Sequence, residues 1–391
     1  MYLITNGKII TENEILIGYD LIIQDDLIKE IKREGQISRS NFDELIDAKN
    51  CYVAPGFIDI HSDYIETMAA PRPSSIMNFS MSLREEEKIL INQGITTMFH
   101  SITMDRNQLK NVPIRNPKYV EEIINTIYNI HKKKHLIRHR FHARIEIDNV
   151  NEIDNIKKYI EDEKVQLISF MDHTPGQGQY KNLEVYRKTL KGYRDISDEK
   201  IEEIINNSRR KEKITDKTIK EIVNIAMKKN ISIASHDDDS VEKLKIVKDY
   251  GTKISEFPIT LDVAKAAKDM DMFTVAGAPN VLLGGSHAGN LCAIEAIKEN
   301  CIDILCSDYY PAAMLYAVFT LNEKHGLDLG KMFNLVTINP AKAVNLDKTI
   351  GSIKEGKKAD ILIIEKSQNE LPAITTVFVN GNLTSRTNYH I

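Results

Sequence analysis

Residues 54 to 63 join an apolar segment to a histidine and a carboxylate. The segment Ala54-Pro55-Gly56-Phe57-Ile58-Asp59-Ile60 leads directly into His61-Ser62-Asp63. On a β-strand, side chains two residues apart point to the same face and lie about 7 Å apart along the chain. An imidazole and a carboxylate in this arrangement can bind one metal ion. The same pair could instead cap the loop after the strand, so the local sequence leaves both interpretations open.

Apolar segments that end in polar residues recur along the middle of the chain, with amphipathic helical stretches between them. This alternation predicts a closed parallel (β/α)8 barrel, an α/β fold of the TIM-barrel type. In such barrels the side chains that carry the chemistry lie at the carboxyl ends of the strands. The eight apolar segments end at His61, Ser101, Glu146, His173, His236, Pro258, Pro279 and Asp308.

Several of these strand ends carry side chains that bind divalent metal ions. Two such ions, about 3.5 to 4 Å apart, can activate a water molecule and polarise a phosphoryl oxygen. Glu146 is predicted to bridge the two ions, and Asp308 to bind one of them while accepting the proton of the attacking water. A nitrogen and oxygen ligand set without cysteine accepts zinc, manganese or iron(II), and zinc is expected first by affinity order and availability. The predicted metal ligands are His61, Asp63, Glu146, His173, His236 and Asp308.

Other polar residues nearby have simpler explanations. Glu146 could form an ion pair with Arg144 or Arg140 inside the barrel wall. One of the three aspartates 237 to 239 is expected to cap the helix that begins near Ser240, and the first two are candidates for supporting the metal ligands. The remaining histidines of basic or helical segments are predicted to be ordinary core or surface residues: His100, His131, His135, His139 and His142.

A glycine-rich segment follows the seventh predicted strand. Glycines let backbone amides approach an anion closely, and the helix predicted near Asn290 would add a favourable dipole. Phosphate sites in barrels often lie at the seventh and eighth loops. Arg72 could bind a further phosphate oxygen through its planar fork of donors. Tight turns use the same glycines, so substrate binding is one of two interpretations of Gly284, Gly285, Ser286 and His287.

The two ends of the chain differ from its middle. Residues 1 to 53 and 345 to 391 alternate polar and apolar residues around turns such as Asn6-Gly7. We expect both ends to form one small β-sandwich domain beside a metal-dependent barrel of residues 54 to 344. Residues 176 to 213 form a charged, helical insertion. It is either a solvated surface segment or a cap that carries basic side chains over the active site.

The composition is that of an ordinary globular protein. The chain has 391 residues, 42% of them hydrophobic, and a formal net charge of -4. Without a block of like charges, a nucleic-acid partner is not expected. Without a secretory signal pattern or an apolar run of about 18 residues, we expect a cytoplasmic protein that does not enter membranes. The cysteine spacings indicate neither disulfides nor a zinc site. Barrel enzymes of this size are commonly symmetric, so a homo-oligomer is expected.

Several ordered motifs resemble those of the amidohydrolase superfamily, and more narrowly those of the PhnM family of phosphonate-metabolism proteins. The broader motifs span nearly the whole chain: residues 55 to 61, 339 to 343 and 351 to 360. The closer resemblance is carried by His61-Ser62-Asp63, Pro71-Arg72-Pro73, Met171-Asp172-His173-Thr174-Pro175-Gly176-Gln177, Ala234-Ser235-His236-Asp237-Asp238, Gly277-Ala278-Pro279-Asn280, Gly284-Gly285-Ser286-His287-Ala288-Gly289-Asn290 and Ser307-Asp308-Tyr309-Tyr310-Pro311-Ala312.

The resemblance implies a hydrolase that removes pyrophosphate from alpha-D-ribose 1-methylphosphonate 5-triphosphate and leaves the 5-phosphate. The partner it implies is therefore a small phosphorylated sugar. The superfamily usually cleaves amides, lactones or ring C-N bonds, so a deacetylase or cyclic amidase is the alternative. A third hypothesis is a catalytically inactive scaffold, which predicts missing ligands, whereas this chain keeps its candidate ligands.

One motif departs from the superfamily pattern. Members of the superfamily usually have His-x-His at the first strand and later histidines after strands five and six. This chain has His61-x-Asp63, the form shared by the closer family, and histidines after predicted strands four and five. The departure leaves His287 as an alternative to His173 among the metal ligands.

Overall fold

Sixteen strands in two sheets make up the β-structure of the described part of the chain. The computed structural model describes residues 1–38, 42–72, 75–104, 113–180, 183–193, 196–285, 290–367 and 370–389. The strands are β1 (Tyr2–Ile10), β2 (Ile15–Gln24), β3 (Leu27–Arg33), β4 (Glu44–Asp47), β5 (Tyr52–Pro55), β6 (Phe57–Ser62), β7 (Ile95–Met104), β8 (Arg138–Glu146), β9 (Leu167–Met171), β10 (Ser232–His236), β11 (Ile254–Glu256), β12 (Phe273–Gly277), β13 (Ile304–Cys306), β14 (Ile361–Glu365), β15 (Ala373–Val379) and β16 (Asn382–Arg386).

Strands β6 to β13 form the (β/α)8 barrel that the sequence predicts. They lie side by side in chain order and pair in parallel. The ring closes where Ser62 of β6 forms a parallel bridge with Asp308, two residues after β13. β7 is buried along its whole length, because a parallel strand is covered by helices on one face and by the barrel interior on the other. The sixth and seventh strands end at Glu256 and Gly277, two residues earlier than predicted.

Helices cover the outside of this barrel, and short polar side chains start several of them. Asn116 accepts a hydrogen bond from the Lys118 amide at the start of α3. Ser240 caps α8 by accepting from the Lys243 amide, so the expectation of an aspartate cap is wrong. The described helices are α1 (Tyr64–Ala69), α2 (Phe79–Asn92), α3 (Pro117–Ile130), α4 (Ile153–Glu161), α5 (Leu183–Tyr193), α6 (Asp198–Arg209), α7 (Asp216–Lys228), α8 (Val241–Asp249), α9 (Leu261–Asp269), α10 (Ala278–Leu283), α11 (Ala293–Lys298), α12 (Ala313–His325), α13 (Leu329–Asn334) and α14 (Ile338–Ala343).

The two chain ends meet in the second sheet, as predicted. Its strand order is β16-β15-β14-β5-β1-β2-β3, with β4 paired to β1. The pairing of β5 with β14 is antiparallel and joins the amino-terminal strands to the carboxyl-terminal ones. The buried residues Ile4, Leu21, Val53, Ile361 and Phe378 belong to its core. The hydrophobic effect therefore holds together segments that are far apart in sequence.

Gly56 connects this sheet to the first barrel strand. A side chain at this position would place its Cβ 2.3 Å from the Thr96 hydroxyl oxygen, so only glycine fits without displacement. The Gly56 amide donates to the Asp360 carbonyl at 2.9 Å, and the Phe57 amide donates to the Gly94 carbonyl at 2.8 Å. These contacts fix the start of β6, and therefore the height at which His61 enters the barrel mouth.

The segment predicted as a helical insertion contains α5 and α6 and lies between β9 and α7. Arg209 at the end of α6 donates to the Pro175 carbonyl at 3.2 Å, and Lys213 donates to Asp172 at 2.9 Å. These bonds hold the insertion against the carboxyl end of β9, on the side of the barrel where catalytic residues lie. Within the described ranges, no helix has the length and hydrophobicity that a membrane span requires.

Candidate metal-dependent active site

The first and last barrel strands bring two carboxylates together. The Asp308 amide donates to the His61 carbonyl at 3.0 Å, and the Asp63 amide donates to the Asp308 carbonyl at 2.9 Å. Burial, followed by the like charge of Asp63, raises the pKa of Asp308 to about 7. Burial also raises the pKa of Asp63, and Glu66 adds to that rise. Two half-buried carboxylates with raised pKa values favour a bound cation or a shared proton.

Strand β8 carries a column of inward-facing side chains. His142, Arg144 and Glu146 are spaced by two residues and therefore share one face. His142 lies deepest, where its Nε2 is 3.0 Å from the Ser169 hydroxyl. Glu146 at the strand end contacts His173 Nδ1, and no ion pair joins it to Arg144 or Arg140 within the described residues. The alternative in which Glu146 neutralises one of these arginines therefore receives no support from the structure.

A first group of metal-binding side chains forms around His61. Its Nδ1 lies 3.0 Å from Glu256 Oε1, and the two rings of His61 and His142 are 5.2 Å apart. Burial, together with the charge of Arg144, holds the pKa of His61 well below its usual range, so the ring is neutral. Burial lowers the pKa of His142 to about 3. Ligand atoms of His61, His142 and Glu256 all lie within 4.8 Å of one another.

A second group forms at the ends of the fourth and fifth strands. Ligand atoms of His173, His236 and Asp237 all lie within 4.8 Å of one another. Burial alone would lower the pKa of His173, but the adjacent Glu146 and Asp237 raise it to about 9. Burial would raise the pKa of Asp237, yet His236 and His173 lower it far below its usual value. The rings of His61 and His236 are 5.3 Å apart, so the two groups adjoin.

The donor atoms of these groups fit a bound cation. His173 Nε2, Asp237 Oδ2, His236 Nδ1 and Glu256 Oε2 are buried and lack a hydrogen-bond partner within the described residues. His236 Nδ1 approaches Asp237 Oδ2 to 2.9 Å, but the angles are not those of a hydrogen bond. Buried polar atoms without partners are costly, and a divalent ion coordinated by imidazole and carboxylate would satisfy them.

Most of the predicted site residues lie together at this mouth. The backbone contacts of Asp63 and Asp308 place them beside His61. Glu146 and His173 meet at the carboxyl ends of the third and fourth barrel strands. His173 follows the fourth strand and His236 ends the fifth, so the strand count behind the unusual histidine pattern is confirmed. The metal-binding roles of these residues stay predictions.

The predicted anion-binding residues lie less clearly at the site. Arg72 is exposed, and its backbone pairs with Ser75. Helix α10 separates the seventh strand from Gly284, which ends the helix in a left-handed conformation with φ of 75°. The glycine segment therefore follows the seventh strand, as predicted, but only after this helix. Ser286 and His287 lie outside the described residues.

Four residues at the mouth were not predicted as primary site residues. Glu256 ends the sixth strand, where the superfamily pattern would have a histidine, and it contacts His61. His142, predicted to be ordinary, and Arg144 share the inward face of Glu146. Asp237, considered only a supporting residue, contacts His173 Nε2 at 3.5 Å. The spacing of two residues from Glu146 was the sequence signal that could have identified the β8 column.

The histidines His100 and His139 lie elsewhere, in a buried polar chain on the outer face of the barrel. His139 Nε2 is 3.2 Å from Glu87, and its Nδ1 is 2.8 Å from His100 Nε2. His100 Nδ1 is 3.7 Å from Glu86, whose two carboxyl oxygens lack a hydrogen-bond partner within the described ranges. Burial, with Asp59 and Glu87 nearby, raises the pKa of Glu86 well above its usual value. Burial at this position therefore favours the protonated, neutral form of Glu86.

Comparison with known proteins agrees with this architecture. The model of the amidohydrolase family matches residues 52–385. The chain belongs to the amidohydrolase family. A model named NagA composite domain matches residues 1–40. The alpha-D-ribose 1-methylphosphonate 5-triphosphate diphosphatase of Escherichia coli (strain K12) is 31% identical over 373 residues, covering 94% of this chain and 96% of the relative. The protein is thus a hydrolase of this family.

More distant relatives support the same fold. An imidazolonepropionase of Picrophilus torridus is 24% identical over 377 residues, covering 88% of this chain and 85% of the relative. The crystal structure of N-acetylglucosamine-6-phosphate deacetylase from Pasteurella multocida superposes with a TM-score of 0.66 at 13% identity, covering 97% of this chain and 98% of that one. A D-hydantoinase structure has a TM-score of 0.65 at 15% identity, covering 98% and 95%. At these identities, the two structures establish the fold alone.

Proposed function

We propose that this amidohydrolase-family protein cleaves the triphosphate of alpha-D-ribose 1-methylphosphonate 5-triphosphate, giving the 5-phosphate and pyrophosphate. The observation that carries the proposal is the 31% identity to a diphosphatase of that specificity over nearly the full length of both chains. The cluster of buried imidazoles and carboxylates at the barrel mouth supports a metal-dependent hydrolysis. The proposed place in metabolism is phosphonate breakdown.

We propose two divalent metal ions as cofactors, zinc first, with manganese or iron(II) as alternatives. The residues that would hold them are His61, Asp63, Glu146, His173, His236 and Asp308, with Glu256 and Asp237 as additional carboxylates. When bound, such ions lower the pKa of water and polarise a phosphoryl oxygen. The mixed nitrogen and oxygen donor set is compatible with each of these metals.

Asp308 is the proposed proton acceptor. It is half-buried at the barrel mouth, and a pKa raised to about 7 lets it accept a proton near neutral pH. In the proposed reaction a water oxygen forms a bond to the phosphorus nearest the ribose while Asp308 takes its proton. The bond from that phosphorus to the bridging oxygen breaks, and the electron pair leaves with pyrophosphate. Arg72 and the segment from Gly284 to His287 are the proposed contacts of the departing pyrophosphate.

The position of an oxygen-18 label tests this reaction. Purified, metal-loaded protein is incubated with the triphosphate in oxygen-18 water and followed by phosphorus NMR. We expect pyrophosphate as the first product, without inorganic phosphate, and the label on the ribose 5-phosphate. Label in pyrophosphate would refute attack at the phosphorus nearest the ribose.

Parallel incubations test the competing functions. Cyclic amides such as a hydantoin, and an N-acetylated sugar phosphate, are incubated with the same preparation, and ring opening or acetate release is measured. Hydrolysis of one of these, without cleavage of any phosphoric anhydride, would establish the carbon-nitrogen hydrolase instead. The Asp308→Asn protein serves as the control for a contaminating phosphatase, because a contaminant would remain active in that preparation.

A further inference from the structure

Arg144 is a positively charged residue inside the candidate site, and no described carboxylate forms an ion pair with it. It lies between His142 and Glu146 on the inward face of β8. Its Nε donates to the Met171 sulfur at 3.3 Å, and its Nη2 is 3.4 Å from His236 Nε2. Within the part of the chain that the structure describes, it forms no ion pair with a carboxylate. Neither contact is with a carboxylate.

The charge of Arg144 nevertheless acts on several residues of the site. Burial and the like charge of Asp63 raise the pKa of Asp308, and the charge of Arg144, the next largest influence, lowers it. Burial raises the pKa of Glu146, and the charges of His173 and then Arg144 lower it. Burial lowers the pKa of His61, and the charge of Arg144 lowers it further. The contact with His236 and the position between His142 and Glu146 on β8 place the guanidinium among the candidate metal ligands rather than at the edge of the site.

A half-buried guanidinium without an anion is energetically unfavourable unless a ligand completes its contacts. The group has five N–H donors in a planar fork, and thioether sulfur is a weak acceptor. The fork matches the oxygens of a phosphoryl group, which it can bind through two parallel hydrogen bonds. An amide group, which members of this superfamily usually cleave, carries no negative charge and would give the guanidinium no anionic partner.

We propose that Arg144 binds the non-bridging oxygens of the phosphoryl group under attack and thereby selects phosphoric anhydrides over uncharged amides. This inference rests on the proposed function. Negative charge on those oxygens is the feature that separates the two substrate classes. Arg144 is then a substrate-contacting residue that supplements the metal ligands, and its position on β8, a rigid strand, fixes where the phosphoryl group lies.

Binding of imidodiphosphate tests the inference without turnover. In this analogue a P–N–P bridge replaces the P–O–P bond that water would cleave. Its dissociation constant is measured by calorimetry for the metal-loaded parent, Arg144→Met and Arg144→Lys. Arg144→Met keeps most of the side-chain length without the charge, and we expect binding to weaken about 10- to 100-fold, the range for hydrogen bonds to charged groups. Arg144→Lys keeps the charge without the fork and should lie in between.

Arg140→Met is the matched control. Arg140 lies on the same strand and the same face, four residues towards the amino end, so its removal changes the net charge equally but away from the mouth. We expect it to bind imidodiphosphate like the parent. Metal content by plasma mass spectrometry and the unfolding temperature are measured for each variant. If Arg144→Met does not fold, the Arg144→Lys protein carries the comparison.

The possible outcomes separate the two proposals. If the parent binds imidodiphosphate and cleaves the triphosphate, but Arg144→Met binds equally well with metal retained, the inference about Arg144 is refuted and the proposed function stands. If Arg140→Met weakens imidodiphosphate binding as much as Arg144→Met does, the inference about Arg144 is also refuted, since the effect would then come from overall charge. If the parent neither binds the analogue nor cleaves any anhydride, the proposed function fails, and the inference fails with it.

Discussion

Replacing Asp308 by asparagine should remove the base of the reaction and leave the fold intact. Asp308 has a left-handed backbone with φ of 60°, a conformation that asparagine adopts readily. Its amide and carbonyl, which join the first and last barrel strands, are unchanged by the substitution. The amide side chain has nearly the same shape but cannot accept a proton. The expected effect is therefore confined to chemistry and to metal binding.

The size of the effect follows from the role of a general base. Proton transfer by a positioned side chain contributes about 100- to 10,000-fold to the rate. At about 1.36 kcal/mol for each tenfold change, this equals about 2.7 to 5.5 kcal/mol of activation free energy. We expect kcat for pyrophosphate release to fall by at least about 100-fold, measured as initial rates at saturating substrate. Metal content is determined on the same samples, because Asp308 is also a proposed ligand.

Asp271→Asn provides the matched control for this substitution. Asp271 is exposed in the turn before β12 and also has a left-handed backbone, with φ of 53°. Its replacement makes the same chemical change in the same conformation, away from the site, and should leave kcat unaltered. An Asp308→Asn protein with metal bound and kcat within about threefold of the parent would refute the assignment of Asp308 as the base.

Three further predictions concern metal binding and stability. Replacing His61 or His236 by alanine should remove most of the bound metal, and full occupancy in both variants by plasma mass spectrometry would contradict their role as ligands. Glu256→Gln should weaken metal binding by about 10- to 100-fold in a chelator titration, because Glu256 is a proposed additional ligand and also orients His61 through Nδ1; unchanged metal affinity would exclude both roles. Burial raises the pKa of Glu86 in the folded protein, whereas in the unfolded chain the carboxyl group ionises near its ordinary value of 4.5. The unfolding free energy therefore falls as pH rises above 4.5, by about 1.4 kcal/mol per pH unit until the folded-state pKa is reached. Glu86→Gln should therefore raise the unfolding free energy at pH 8 relative to the parent, with a difference that shrinks towards pH 4, whereas a difference independent of pH would refute the buried-acid interpretation.

The barrel could be predicted from the sequence because its signal is local and repeated. Each strand is an apolar segment, and each segment is followed by an amphipathic helix, so one pattern indicates both the strand count and the end of the barrel that carries polar residues. His61, Glu146 and His236 stand at or next to the carboxyl end of such a segment. Their approximate location follows from the architecture alone.

The rest of the site depends on features that no local pattern records. β11 has only three residues, Ile254–Glu256, and the apolar Phe257 after it made the strand look two residues longer. Glu256 therefore appeared to lie inside a strand rather than at its end. His142 lies among basic residues, and only the inward direction of Glu146 reveals that it faces the barrel interior. Residues Ala278–Leu283 form helix α10 before the glycine segment, although their sequence resembles a turn.

The shared sheet of the two chain ends has a consequence for biosynthesis. β5 leaves the ribosome early, but its partner β14 begins at Ile361, about 300 residues later. At typical translation rates of about 5 to 20 residues per second, β5 waits about 15 to 60 s for that partner. During this interval its outer edge presents unpaired backbone groups, to which strands of other nascent chains can pair. Completion of this sheet, rather than of the barrel, is therefore the last step at which a newly made chain is protected from aggregation.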